Sequence, residues 1–101
     1  MTITQLRAFY LAATMGSFTA AAQYMGITQP TVSELVKKIE ETYGLPLFVR
    51  GGRKLVLTTA GETLLPWSQR ILDDELGAGT ALHSLSTGDG GTVSFGILQN
   101  S

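Results

Sequence analysis

With 101 residues and no cysteine, the chain has the size of one small domain with a modest core, and it carries neither a disulfide framework nor a thiolate metal site. Its N-terminus lacks a secretory signal pattern and no apolar run approaches the roughly 20 residues of a membrane helix, so a cytoplasmic location is expected. The net charge of −1 is unevenly placed: residues 28–56 hold five basic groups against three acidic ones, whereas residues 57–101 hold Arg70 against five acids.

The first helix is predicted in TITQLRAFYLAATMG, with Thr2 or Thr4 as its cap and Leu6, Phe9, Tyr10 and Ala13 at helical spacing. Gly16 suits its end, and Ser17 caps a short second helix that buries Phe18, Ala21, Ala22 and Met25. Only Ile27 then separates Gly26 from Thr28, the predicted cap of a third helix. Pro30 is tolerated in the first turn of that helix because the N–H it lacks has no helical partner there. Val32, Val36, Ile39 and Tyr43 form the predicted buried stripe, and Gly44 ends it.

The other side of the third helix carries Gln29, Thr31, Ser33, Glu34, Lys37 and Lys38. Two helices joined by a tight glycine turn, the second polar over its N-terminal half, form a helix-turn-helix. In that arrangement the second helix enters the DNA major groove N-terminus first, so short donors and acceptors belong near its start and cations further along.

Leu47–Val49 and Leu55–Leu57 flank Arg50-Gly51-Gly52-Arg53-Lys54, which predicts a β-hairpin with three cations at its tip. Such a basic wing lies along the DNA backbone or reaches a narrow minor groove. A long helix follows, starting at Thr58 or at a Thr59–Glu62 capping box and running to about Leu85. Pro66 is expected to bend it, and Gly77 and Gly79 to weaken it. Leu64, Ile71, Ala78 and Leu85 recur at seven-residue spacing, which hints at a partner helix, and Trp67 is assigned to a helix–helix interface. STGDGG is then a linker, and TVSFGILQNS resembles a first strand with nothing left to pair with, as in a piece of a longer protein.

The run GSFTAAAQYMGITQPTVSELVKKIEETYGLPLFVRGGRKLVLTTAG closely resembles the N-terminal DNA-binding domain of the LysR-type transcriptional regulators. The resemblance spans roughly residues 3–88 and rests on several features in order. These are Ser17-Phe18-Thr19 with Ala21-Ala22, Gln29-Pro30 with Val32-Ser33, Glu40 to Gly44, Leu47-Phe48 with Arg50, and Leu57-Thr58 with Ala60-Gly61. It implies a mainly α fold: a winged helix-turn-helix of three helices and a two-stranded wing at 1–58, a linker and dimerisation helix at 59–87, and at 88–101 a linker and the first strand of an effector-binding domain.

The resemblance further implies a homodimer, tetrameric at full length, that binds inverted-repeat double-stranded DNA at promoters and responds to a small metabolite held by the C-terminal domain. No cofactor is implied within this chain. Gln29, Pro30, Thr31 and Ser33 would face base edges or adjacent phosphates, and Lys37 and Lys38 the backbone. Arg50, Arg53 and Lys54 would belong to the wing, with Arg53 nearest the minor groove. Glu34 stands where relatives often have a basic or amide residue; it would accept a hydrogen bond from a cytosine amino group or pair with Lys38. Leu35 would touch a thymine methyl or pack inward. The dimer contact is expected at Leu64, Trp67, Ile71, Ala78, Leu82 and Leu85.

Other classes fit less well. A protein-contact winged helix usually loses the basic wing tip, which Arg50, Arg53 and Lys54 retain here. The molybdate-responsive regulators share a similar helix-turn-helix, but Gln29-Pro30 and Leu47-Phe48 with Arg50 favour the LysR type. For an enzyme, there is no nucleophile–base pair or cofactor loop, and GDGG lacks the Lys-Ser/Thr ending of a phosphate loop. His83 is the sole histidine, and Asp73, Asp74 and Glu75 fan around a helix as a solvated acidic face, so no metal site is expected.

Overall fold

The computed structural model describes residues 1–52 and 54–87; Arg53 and the expected linker and strand at 88–101 lie outside the described residues. Four helices and one short hairpin follow in the order α1 (Ile3–Met15), α2 (Phe18–Met25), α3 (Gln29–Tyr43), β1 (Phe48–Val49), β2 (Val56–Leu57) and α4 (Thr59–Thr87). The architecture is the mainly helical winged helix-turn-helix with a long trailing helix that the sequence pattern predicts.

Local chemistry sets each boundary. Thr2 caps α1 in a reciprocal box, its hydroxyl accepting from Gln5 N–H while the Gln5 side chain accepts from Thr2 N–H. Ser17 and Thr28 cap α2 and α3 in the same sense, each accepting an N–H three residues on. The turn between α2 and α3 requires a left-handed residue, supplied by Gly26 at φ 71°. Ile27 N–H then reaches back to Ala22 O at 3.0 Å, closing the helix end within one residue of the next cap.

The core is small and built for close approach. Ala8, Phe9 and Ala12 of α1, Ala21 and Ala22 of α2, and Val32, Val36 and Ile39 of α3 are buried together with Leu47 and Phe48. Phe48 centres an aromatic cluster, 5.5 Å from the Phe9 ring and edge-on to Phe18 at 5.3 Å. Three details differ from the sequence pattern, the first being that Phe18 and Met25 of α2 pack against the core only half-buried. In α1, Ala8 and Ala12 are buried while Tyr10 and Ala13 are only half-buried. Tyr43, placed on the buried stripe of α3, is 58% exposed, because the last turn of that helix extends past the elements that cover Val32, Val36 and Ile39.

The hairpin pairs Phe48 with Leu57 and Val49 with Val56 in antiparallel register. Thr58, rather than Thr59, caps α4: its hydroxyl accepts from Gly61 N–H and donates to Pro46 O at 2.6 Å, while its own N–H donates to Leu47 O. One residue thus joins the wing, the start of α4 and the segment before β1. Gly61 sits so close to this junction that a Cβ there would collide with the Leu47 carbonyl and the Leu57 side chain. Helix α4 continues unbroken through Pro66, and its first turns lie against α1, with Ser68 fully buried and its hydroxyl bonded to Leu65 O.

Candidate nucleic-acid interface

Helix α3 is fixed by its buried side, which leaves the other side outward. Gln29, Pro30 and Thr31 are exposed in its first turn, Ser33 is half-buried, and Glu34, Lys37 and Lys38 are exposed further along. Pro30, Glu34, Lys37, Lys38 and Glu41 fall on one face by helical spacing. The Thr31 hydroxyl lies 2.8 Å from the Thr28 hydroxyl, so it joins the cap and keeps capacity for further partners. Leu35 packs against the core, which settles the inward alternative for that residue. The Glu34–Lys38 pair does not form, and among the described residues Glu34, Lys37 and Lys38 take part in no ion pair. These side chains stand clear of one another, with their polar groups turned to solvent.

Of the two wing cations among the described residues, Arg50 departs from expectation. Arg50 does not project from the tip: its Nη2 donates to Glu40 Oε1 at 3.1 Å, and its guanidinium sits 5.2 Å from the Phe18 ring centre. Lys54 is exposed near the turn, where Gly51 takes φ 91°. Glu40 was missed as a contributor. Besides Arg50 it takes the Leu47 N–H at 2.8 Å through Oε2, so a single carboxylate spans α3 and both ends of β1. The signal in the sequence was slight: an acid directly after buried Ile39, with an arginine ten residues later.

The residues assigned to the dimer contact separate into two groups. Leu64 is half-buried and packs partly against the core of its own chain, and Ile71 is half-buried. Trp67, Ala78, Leu82 and Leu85 are exposed, Leu82 at 68% and Leu85 at 75%. Near the middle of α4, Arg7 of α1 pairs with Glu75 at 3.3 Å, and Arg70 lies 5.0 Å from the Trp67 ring centre. No cluster of three or more potential metal ligands occurs among the described residues, and no described helix is long and apolar enough to cross a membrane.

The same arrangement occurs in proteins of known kind. Residues 3–62 match the model of the bacterial regulatory helix-turn-helix proteins of the lysR family. The chain is 39% identical over 100 residues to the probable RuBisCO transcriptional regulator of Guillardia theta, covering 97% of this chain and 32% of that protein. It spans about a third of the length of the curated relatives it matches. Among solved structures it superposes on the BenM_DBD/catB site 1 DNA complex with a TM-score of 0.81 at 27% identity, covering 87% of this chain and 98% of that one. On the CbnR_DBD–DNA complex the TM-score is 0.75 at 30% identity, covering 83% and 97%. Matched in sequence through the helix-turn-helix and wing, and in structure into α4, the chain belongs to the lysR family of bacterial regulatory helix-turn-helix proteins.

Proposed function

We propose that this chain is the part of a transcriptional regulator that reads double-stranded DNA, and that α3 is its recognition helix. The observation that carries the proposal is the outward face of α3, where Gln29, Thr31, Ser33, Glu34, Lys37 and Lys38 follow one another without internal ion pairing among the described residues. Short groups at the helix start have the reach for base edges, and the lysines have the charge for phosphates. The two solved DNA complexes described above, whose own chains are almost wholly covered, support the same assignment. With Leu35 packed inward, discrimination falls to Gln29, Thr31, Ser33 and Glu34, the last accepting from a cytosine amino group.

In this reading the exposed apolar side chains of α4, Trp67, Leu82 and Leu85, are covered by the same helix of a second copy. The resulting dimer presents two recognition helices about 34 Å apart, or a multiple of it, to an inverted repeat. Metabolite sensing and tetramer formation belong to regions of a longer protein beyond these helices, which works in the cytoplasm. The test is selection of bound sites from a random duplex library at two salt concentrations. Enrichment of an inverted repeat, with affinity falling steeply as salt rises, is the expected result. Salt-sensitive binding without any enriched motif would remove the base-reading role from α3. Absence of binding at low salt would leave a protein-contact module as the better description.

A further inference from the structure

We infer that Glu40 and Arg50 are positioning residues that form a strut between the recognition helix and the wing, and that Arg50 acts through this strut rather than on a DNA phosphate. The inference rests on the DNA-binding reading above and assigns a role that opposes the simple one for a wing arginine.

The strut is built from three contacts. Glu40 lies near the C-terminal end of α3 with its side chain only 15% exposed. Its Oε2 accepts from the Leu47 N–H at 2.8 Å, and Oε1 accepts from Arg50 Nη2 at 3.1 Å. Leu47 is itself 4% exposed, so water is a poor substitute for that acceptor. The Arg50 guanidinium also rests over Phe18 at 5.2 Å, and Phe18 abuts Phe48 of β1 edge-on. Residues on both sides of the two-residue strand β1 are therefore tied to α3 and α2. A hairpin this short has little pairing of its own to fix its angle, which makes external ties decisive.

Charge points the same way. The Arg50 guanidinium already faces a carboxylate, whereas Lys54, on the same wing, and Lys37 and Lys38 on α3 have no ion-pair partner among the described residues. Among the described residues of α3 and the wing, the lysines are the cations available for phosphate, and Arg50 is spent on geometry.

The two roles of Arg50 predict opposite signs for one variant. If Arg50 gripped a phosphate, Glu40 would compete with DNA for it, and Glu40→Gln would tighten binding. As a strut, Glu40→Gln keeps an acceptor for Leu47 but loosens the hold on Arg50, and binding weakens. The experiment measures affinity for the selected duplex across a salt series for the wild-type chain and for Glu40→Gln, Arg50→Gln, Arg50→Lys and Lys54→Gln, with thermal melts to show that each is folded. The expected result is a loss of about fivefold for Glu40→Gln and Arg50→Gln, the equivalent of a modest ion pair. The dependence of log Kd on log salt should stay as steep as in the wild type for both, while Lys54→Gln lowers that slope by about one. Arg50→Lys should resemble Arg50→Gln, because lysine keeps the charge but loses the planar contact with Phe18 and the carboxylate. Tighter or unchanged binding by Glu40→Gln, a slope lowered by about one in Arg50→Gln, or full rescue by Arg50→Lys would each overturn the strut. A wild-type chain that binds no duplex at all would overturn the DNA-binding reading, and this inference with it.

Discussion

Helix α4 holds glycine in two opposite settings. At Gly61 an added Cβ would collide with the Leu47 carbonyl and come within 2.7 Å of Leu57 Cδ2, whereas at Gly77 and Gly79 nothing lies within 4 Å. The first glycine sits where the helix leaves the wing and crosses the chain before β1, and the other two lie on a stretch that touches little else of its own chain. The lower turns of α4 are thus a structural member of the DNA-reading domain, held by Thr58, Leu64, Leu65 and buried Ser68. The upper turns are a rod, bearing Leu76, Leu82 and Leu85, all exposed among the described residues. The same residue type is a requirement at one end and a weakness at the other.

Substitutions sharpen this contrast, and the largest effect is expected at Gly61. Gly61→Ala should destabilise the domain by about 2–3 kcal/mol, because the obstructing carbonyl is held by the Thr58 N–H and cannot move aside freely. A melting temperature equal to that of the wild type would show that the junction gives way more easily than its geometry indicates. Alanine at both Gly77 and Gly79 should act in the opposite direction, adding about 0.5–1 kcal/mol of helix stability per site. Far-UV ellipticity and amide exchange over residues 74–85 would register the gain; unchanged exchange would mean that the rod is already held by a partner. Replacing Leu82 and Leu85 together by alanine should leave denaturation of a dilute sample within about 0.5 kcal/mol of the wild type, as for exposed positions generally. The same pair should lower self-association in sedimentation if α4 is the dimer contact, and an undiminished dimer would move that contact elsewhere. The smallest change is expected for Arg7→Ala, whose ion pair with Glu75 is 41% and 48% exposed and so contributes only a few tenths of a kcal/mol.

The elements were legible because their ends are written locally. Thr2, Ser17, Thr28 and Thr58 each cap a helix through a bond spanning three residues, and Gly16, Gly26 and Gly44 each close one. Spacing alone could not mark the end of burial. Tyr43 continues the stripe of Val32, Val36 and Ile39 faithfully, yet no described element covers it. The outward face of α3 was legible for the complementary reason, since a helix with one apolar side leaves its other side to solvent. Glu40 was not legible, because its two partners lie seven and ten residues on and meet it only after the chain has turned at Gly44. Arg50 shared that fate: next to two glycines it has the pattern of a tip residue, and only the position of Phe18 and Glu40 draws it back.

The sole tryptophan of the chain stands on α4, 55% exposed and with an arginine over its ring. This gives the protein a native optical gauge on a helix separate from the proposed recognition face. Burial of Trp67 by a second copy would shift its emission to the blue, while DNA held by α3 and the wing alone would leave the colour unchanged. Assembly and DNA capture can therefore be followed as separate events in one unlabelled sample, the first by fluorescence wavelength and the second by the anisotropy of a tagged duplex.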